Sequence, residues 1–358
     1  MKHIFKNETS ILNNCYNKDI IQRGFTMQEL TVRVPGTSAN LGPGFDCLGI
    51  AFQIYNWFTF RWQKIEDVVS PQEQIDQLAI TNVRQLPMME AYVKYCTLFD
   101  VDLPLLELVD SLESDVPVAR GLGSSATCYT AGAKAAQWVA EQLYDKQTIL
   151  KEIEGRFGSY KIDPFSNEAI LAIAAMIEGH PDNISPAVFG GLQIASIMEQ
   201  KDFPHVLYQT LPVHSTVNFI ISYPNYSLKT KNARAILPKK IDRQDAIFNL
   251  TALSFLIQGM ETGDPVLLEH GLQDRLHQPY RAKLIDGFYD ILKIGKNAGA
   301  VGSVLSGAGP AILTIYLDSE NGDLIQEKIQ NELGENWQVL KLKIDHSGIN
   351  IKTGREKF

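Results

Sequence analysis

The sequence predicts an α+β protein in two lobes, and three observations carry that prediction. Residues 50–61 place Ile50, Phe52, Ile54, Phe58 and Phe60 on one parity, the two-residue period of a strand with one buried face. Helical patterns recur over 86–99, 124–143, 246–259 and 285–298. Glycine-rich turns precede one of those helices (115–123) and one strand (303–310). Hairpin-like strands mixed with long helices point to α+β rather than to a doubly wound parallel sheet.

Taken in order, residues 30–34 (Leu-Thr-Val-Arg-Val) read as a first strand that stops at Pro35. Three glycines and two prolines within 35–44 then predict an irregular turn through residue 46. The alternating strand at 50–61 and the helix at 86–99 follow. The loop over 115–123 opens a slim helix over 124–143, in which Thr127, Ala131, Ala133 and Ala135 permit close packing. An apolar helix over 170–177 ends at Gly179 and Pro181. Gly190 and Gly191 turn into a strand, and residues 217–222 predict another. The turn at 303–310 feeds a strand over 311–317. The lobes divide near residue 215, into 27–215 and 216–358. Residues 1–26 read as an ill-ordered arm, lacking the basic, apolar and small-residue segments of a signal peptide.

Composition narrows the function. The chain has 358 residues, 45% hydrophobic and 21% charged, enough for a substantial core and too apolar for global disorder. A net charge of -8 argues against gripping nucleic acid. No uninterrupted apolar run is long enough to span a bilayer. Cys15, Cys47, Cys96 and Cys128 are widely spaced without a C-x-x-C pair, which argues against a zinc site or disulfide framework. Together these predict a cytoplasmic protein with neither a nucleic-acid nor a membrane partner.

The sharpest local signal is Pro117-Val118-Ala119-Arg120-Gly121-Leu122-Gly123-Ser124-Ser125-Ala126. Gly121 and Gly123 allow backbone angles and approaches that a side chain would block. Ser124 or Ser125 is the expected N-cap. The first helical turn leaves N–H groups open, and the dipole places roughly +0.5 charge there. The result is a site for nucleotide phosphates, and a serine hydroxyl can also reach Mg²⁺. No lysine follows Gly123, so this is not a Walker A loop. Ala126 stands where the dinucleotide fingerprint needs its third glycine, so it is not that loop either.

Pro117 to Ala126 resembles the P-x-x-x-G-L-G-S-S-A motif of the GHMP kinases, the superfamily of galactokinase, homoserine kinase, mevalonate kinase and phosphomevalonate kinase. Residues 35–46 resemble its first motif, and residues 305–312 its third, a loop in which Ser306, Gly307, Ala308 and Gly309 would support the phosphate site. The resemblance runs from about residue 28 to the C-terminus. It implies a two-lobed GHMP kinase fold, with a mixed α/β N-terminal lobe carrying the phosphate loop and a ferredoxin-like C-terminal lobe. It also implies ATP, Mg²⁺ and a homodimer.

Within the superfamily, the long form G-P-G-F-D-C-L-G (42–49) and E-G-H-P-D-N (178–183) are similar to the homoserine kinases. That likeness implies phosphorylation of L-homoserine to O-phosphohomoserine in threonine biosynthesis. It also implies the site. Asp46 takes the substrate amine with Asn40 nearby, and His180 and Asn183 face homoserine. Glu178, or Glu168 ten residues earlier, joins Ser125 on Mg²⁺. Residues 230–238 resemble T-x-x-A-R-x-x-L-P and residues 274–281 resemble D-x-x-x-x-P-x-R. Arg234 and Arg281 would then grip the carboxylate through paired hydrogen bonds, and Thr230 would approach the reacting hydroxyl. Asn183 stands where some relatives carry a carboxylate base, so the hydroxyl proton would pass to the phosphate. Asp182 as base is the competing assignment. Residues 62–89, where the adenine pocket is expected, match weakly. Two other readings stay open. In a mevalonate kinase-like enzyme, Asp46 would have no ammonium to bind. In a non-catalytic ligand sensor, Ser124, Ser125 and Glu178 would have no work.

Overall fold

The computed structural model describes residues 28–62, 68–74, 87–147, 149–151, 162–198, 205–317 and 321–353. The predicted arm at 1–26, and residues 63–67 and 75–86 of the weakly matching stretch, lie outside the described residues. Strand β1 (Gln28–Asn40) pairs antiparallel with β2 (Gly44–Trp62) along nearly its whole length. Contrary to expectation, the first strand does not stop at Pro35, and residues 36–40 are not a turn. The register shifts between Pro35 and Gly36; such a bulge is where a strand tolerates a proline without losing a ladder bond. The turn shrinks to residues 41–43.

The single parity of β2 holds, but it feeds two cores. Phe58, Phe60 and Trp62 pack with helices α1 (Pro87–Phe99), α2 (Ser124–Leu143) and α3 (Asn167–Glu178). Ile50 and Phe52 pack with the second sheet. The first sheet runs β12–β1–β2–β6–β7, with β5 (Glu107–Ser114) on the far half of β2. Here β6 is Leu192–Met198, β7 is His205–Leu211 and β12 is Asn350–Thr353, while β3 (Val68–Val69) and β4 (Leu103–Pro104) form a separate short pair. Helices α1 and α2 meet closely: a Cβ on Gly132 would lie 1.8 Å from the Met88 carbonyl oxygen. Short α4 (Ile184–Phe189) follows the turn after α3.

The second sheet is antiparallel, in the order β11–β8–β10–β9. Its strands are β8 (Asn218–Pro224), β9 (Gly302–Leu305), β10 (Ile312–Tyr316) and β11 (Trp337–Leu342). Between β8 and β9 come α5 (Thr230–Ala235), α6 (Arg243–Thr262), α7 (Pro265–Gly271), α8 (Gln278–Arg281) and α9 (Phe288–Asn297); α10 (Gly322–Leu333) lies between β10 and β11. Strand order with helices in both crossovers is the split βαβ, ferredoxin-like arrangement. The predicted 303–310 turn is narrower than expected, because Ser303–Leu305 belongs to β9. After β11 the chain returns to the first sheet as β12. No helix among the described residues is long and apolar enough to cross a membrane.

Candidate active site

A cleft of about 460 Å³ opens where the two sheets meet. One of its walls is the start of α2. Gly121 and Gly123 both adopt left-handed backbone, with φ of 82° and 68°. A Cβ on Gly123 would stand 2.0 Å from Thr37 Oγ1, and one on Gly121 would stand 2.2 Å from the Ser306 carbonyl oxygen. Gly123 occupies the N-cap position with no side-chain cap bond, and Ser124 and Ser125 begin the helix itself. The expectation that a serine caps this helix is therefore corrected. A capping hydroxyl would consume a first-turn N–H, whereas glycine leaves those donors open at a helix start whose Ser124 and Ser125 line the cleft.

The loop is held from behind. Ser306 Oγ bonds the Gly121 carbonyl at 2.5 Å and Ser38 Oγ at 2.8 Å. Gly307 N–H donates to the Ala39 carbonyl, and Gly309 N–H to the Ser306 carbonyl. Gly307 and Ala308 reach the cleft wall; Ser306 and Gly309 lie behind it. Of the predicted phosphate residues, Gly121, Gly123, Ser124 and Ser125 line the cleft. Leu122 is buried in the core that joins the sheets, and Ala126 is buried in α2. Pro117 precedes the lining residues Val118 and Ala119. Arg120 turns away and donates to the carbonyls of Pro224, Asn225 and Val118.

Helix α3 delivers Glu178 at its last position, before Gly179 ends it in left-handed backbone. Ser125 Oγ donates to both Glu178 oxygens, at 2.9 and 3.1 Å. Burial holds the Glu178 carboxyl above the usual range, partly offset by His180 and Ser125. Glu168 sits at the opposite end of α3, bonded to Tyr208, about 15 Å away along the axis at 1.5 Å per residue. The turn to α4 places His180 Nδ1 2.5 Å from Asp182 Oδ1. The same Asp182 oxygen accepts from Asn183 N–H at 2.8 Å. Burial pulls the His180 imidazole down, but its bond to Asp182 and the charges of Asp182, Glu178 and Asp46 outweigh it, so its pKa is raised. Thr37 Oγ1 donates to Asn183 Oδ1 at 2.9 Å, and the Asn183 amide nitrogen makes a long 3.5 Å contact with Asp182 Oδ1.

The other wall carries the charges. Asp46 has a left-handed φ of 58° and accepts two 2.8 Å bonds from Arg234 Nη1 and Nη2. Asn40 receives the Asp46 N–H on its oxygen and donates to the Gly307 carbonyl, so it ties the first motif to the third. Arg281 is 2% exposed. It donates to the carbonyls of Ala233 and Gly307 and contacts the His277 ring at 3.4 Å. None of its hydrogen bonds among the described residues reaches a carboxylate. Burial, with Arg234 next, pushes it down to about 10. Phe45 lies under both guanidiniums, 5.6 Å from Arg234 and 5.2 Å from Arg281. Asp274 builds this corner by accepting from the backbone N–H groups of Leu276, His277 and Gln278. Thr230 lines the cleft at the start of α5. Asp46, His180 and Asp182 also bring ligand atoms within 4.8 Å of one another. Arg234 pairs with Asp46 and His180 with Asp182 in that cluster.

The structure thus gathers Asn40, Asp46, Glu178, His180, Asp182, Asn183, Thr230, Arg234 and Arg281 in one cleft with the open start of α2. Sequence reasoning missed Thr37, Phe45 and His277, although all three stand inside the quoted motifs. At the apolar end of the cleft, Pro87 and Met88 fall in the 62–89 stretch where the adenine pocket was expected, whereas Phe58 and Leu108 lie outside it and were missed. Nothing in a strand's alternation marks Phe58 as a core residue that also lines the cleft.

A helix start without lysine, facing charges arranged for a small polar molecule, defines the class: a small-molecule kinase with a GHMP-type phosphate loop. Residues 92–191 match the family model for the GHMP kinases N terminal domain, and residues 256–336 match that for GHMP kinases C terminal. The homoserine kinase of Clostridium beijerinckii is 37% identical over 335 residues, covering 91% of this chain and 99% of that protein. That of Halothermothrix orenii is 34% identical over 330 residues, covering 90% and 96%. Among solved structures, homoserine kinase from Cytophaga hutchinsonii aligns with a TM-score of 0.67 at 24% identity, over 90% of this chain and 97% of that one. The L. major mevalonate kinase in complex with R-mevalonate aligns at 0.53 and 14%, over 88% and 96%; at such identities these two support the fold. The chain belongs to the homoserine kinase family of the GHMP kinases.

Proposed function

We propose that the protein transfers the γ-phosphoryl group of ATP to the side-chain hydroxyl of L-homoserine, releasing ADP and O-phosphohomoserine. The observation that carries this reading is Arg281, a buried guanidinium whose described bonds include no carboxylate, beside the Asp46–Arg234 pair. A buried cation without a counter-ion is costly, and a substrate carboxylate relieves that cost. Asp46 supplies the complementary charge for an ammonium. A zwitterion with a hydroxyl satisfies both.

The triphosphate sits on the first-turn N–H groups of α2 and the amides of the 121–125 loop. The apolar end at Phe58, Pro87, Met88 and Leu108 takes the base. Ser125 and Glu178 fit Mg²⁺: a hydroxyl and a desolvated carboxylate already lie in contact, and hard oxygen donors are what this ion takes. Bound there, the ion supplies charge neutralisation to the phosphates. Asn183 presents its amide nitrogen to the acceptor oxygen, and Thr230 approaches it from α5. Asp182 holds His180 and the Asn183 N–H on one oxygen, and we assign it the role of orienting these groups, with Asp182 as base the competing assignment. The hydroxyl proton goes to the transferred phosphate. Alignment and charge carry most of such a transfer. The free thiols at Cys47, Cys96 and Cys128 fit a cytoplasmic enzyme.

A coupled ADP-release assay with homoserine, mevalonate, galactose and shikimate tests the reading. ADP release with homoserine far above the others is expected. Release with mevalonate alone would move the substrate assignment, and release with none would favour a ligand sensor.

A further inference from the structure

Arg120 stands in the middle of the phosphate loop, yet its guanidinium does not face the cleft. Nε donates to the Pro224 carbonyl at 2.9 Å, Nη2 to the Asn225 carbonyl at 2.8 Å, and Nη1 to the Val118 carbonyl at 3.3 Å. Next to it, the Ala119 carbonyl accepts from the Leu228 N–H at 3.0 Å. On its other side, the Arg120 carbonyl accepts from the Ala311 N–H at 3.2 Å. Residues 118–120 therefore bridge the end of β8, the start of β10 and the connector that leads into α5.

The anchor is rigid. Pro224 faces Trp337 across the β8–β11 ladder, and Asn225 N–H donates to the Asn336 carbonyl. Helix α5, two residues beyond Leu228, carries Thr230 and Arg234. Its far end is gripped by Arg281 through the Ala233 carbonyl. The loop that faces the phosphates is thus tied to the chain leading into α5 at two places, by the Arg120 fork on Pro224 and Asn225 and by the Leu228 N–H on the Ala119 carbonyl.

We propose that Arg120 is a positioning residue that couples the two substrates, by fixing the phosphate loop to the connector that carries α5. The proposal rests on the two-substrate kinase reading above. In-line transfer needs the donor and acceptor at a set spacing, and a misplacement of about 1 Å costs on the order of 100-fold in rate. The fork meets three carbonyls at once because a guanidinium is planar with five donors. A lysine in its place keeps the charge but offers a point donor. Coupling of this kind is reciprocal: nucleotide tightens acceptor binding by the factor with which acceptor tightens nucleotide.

The experiment compares the full chain with Arg120→Met and Arg120→Lys. Calorimetric titrations use a non-hydrolysable ATP analogue with Mg²⁺, homoserine, and each in the presence of the other. Amide exchange is read at Leu228, with Ile315 in β10 as the internal control. For Arg120→Met, kcat falls roughly 100-fold while each separate affinity stays within about threefold, and the analogue no longer tightens homoserine. Arg120→Lys behaves in the same way. The Leu228 amide exchanges faster in both, and Ile315 does not.

If lysine restores kcat while methionine weakens the analogue alone, Arg120 is a phosphate ligand and the proposal fails. An unchanged coupling factor and an unchanged Leu228 amide also overturn it. Should Ile315 exchange quickly as well, Arg120→Gln replaces the methionine variant and the same readouts decide. Absence of homoserine binding by the parent chain would sink the substrate reading alone, because Leu228 exchange still tests the strut.

Discussion

Arg281 keeps a charge that burial opposes, and the fold holds it with carbonyls rather than with an acid. Arg281→Met removes the fork, and the expected result is a rise in KM for homoserine of roughly 100-fold, near 3 kcal/mol for a lost charge-assisted pair. Binding of an ATP analogue changes little, so titration of each substrate separates this effect from misfolding. Asp182 works through its neighbours. It is 2% exposed, and Asp182→Ala strands the His180 and Asn183 donors. The expected loss of stability is about 2–4 kcal/mol in a urea titration. With Asp182 assigned to orienting its neighbours, Asp182→Asn is expected to retain measurable turnover; abolished turnover in a folded variant would restore it as base. The pH signature has a definite sign. His180 has its folded pKa above the ordinary 6.5, so protonated His180 stabilises the fold below that value. The contribution is lost as pH rises through the raised folded value. The stability gap between the parent and Asp182→Asn is expected to be widest below pH 6.5 and to narrow above it.

The phosphate loop and α2 were the elements most legible in the sequence. Glycines at 121 and 123 and small residues after them fix the loop, and the helix begins at Ser124 as the pattern predicts. The cap was misread because a serine at a helix start is ordinarily a cap; here Gly123 takes the cap position and no side chain closes the helix start. Strand β1 was misread for a different reason. Proline and glycine rules describe a chain in isolation, while Pro35 sits at a bulge inside a ladder with β2. Gly123 tests the geometry directly. A Cβ there meets Thr37 Oγ1 at 2.0 Å in a backbone that L residues rarely adopt. Gly123→Ala is expected to cost roughly 1–3 kcal/mol of stability and most of the nucleotide affinity. It pushes on Thr37, which holds Asn183. A melting curve with and without the ATP analogue checks both halves: the parent gains stability on ligand addition and the variant does not.

At the scale of the whole molecule, motif order announced two lobes but not how they join. The even-numbered side chains of β2 read as one buried face, and periodicity cannot tell that they enter two different cores. The return of β12 to the first sheet left no mark in the sequence either, since an edge pairing of four residues has no distinctive pattern. These hidden features decide stability. Leu41, Leu48, Ile50, Phe52, Val116, Leu122 and Leu192 come from before residue 215. They share a core with Phe219, Ile221, Leu256, Leu313 and Ile315 from after it. At about 1.5–3 kcal/mol for each large apolar side chain buried, exposing either side removes an amount comparable to the 5–15 kcal/mol by which a domain is usually stable. The chain is therefore expected to unfold in a single calorimetric transition. A fragment covering 27–215, expressed alone, should show no cooperative melting. Co-expression with 216–358 should restore both the transition and ADP release, because the cleft is made by both halves. Two separate transitions in the full chain would mean that this shared core contributes little, and that the lobes are joined mainly through the polar contacts around the phosphate loop.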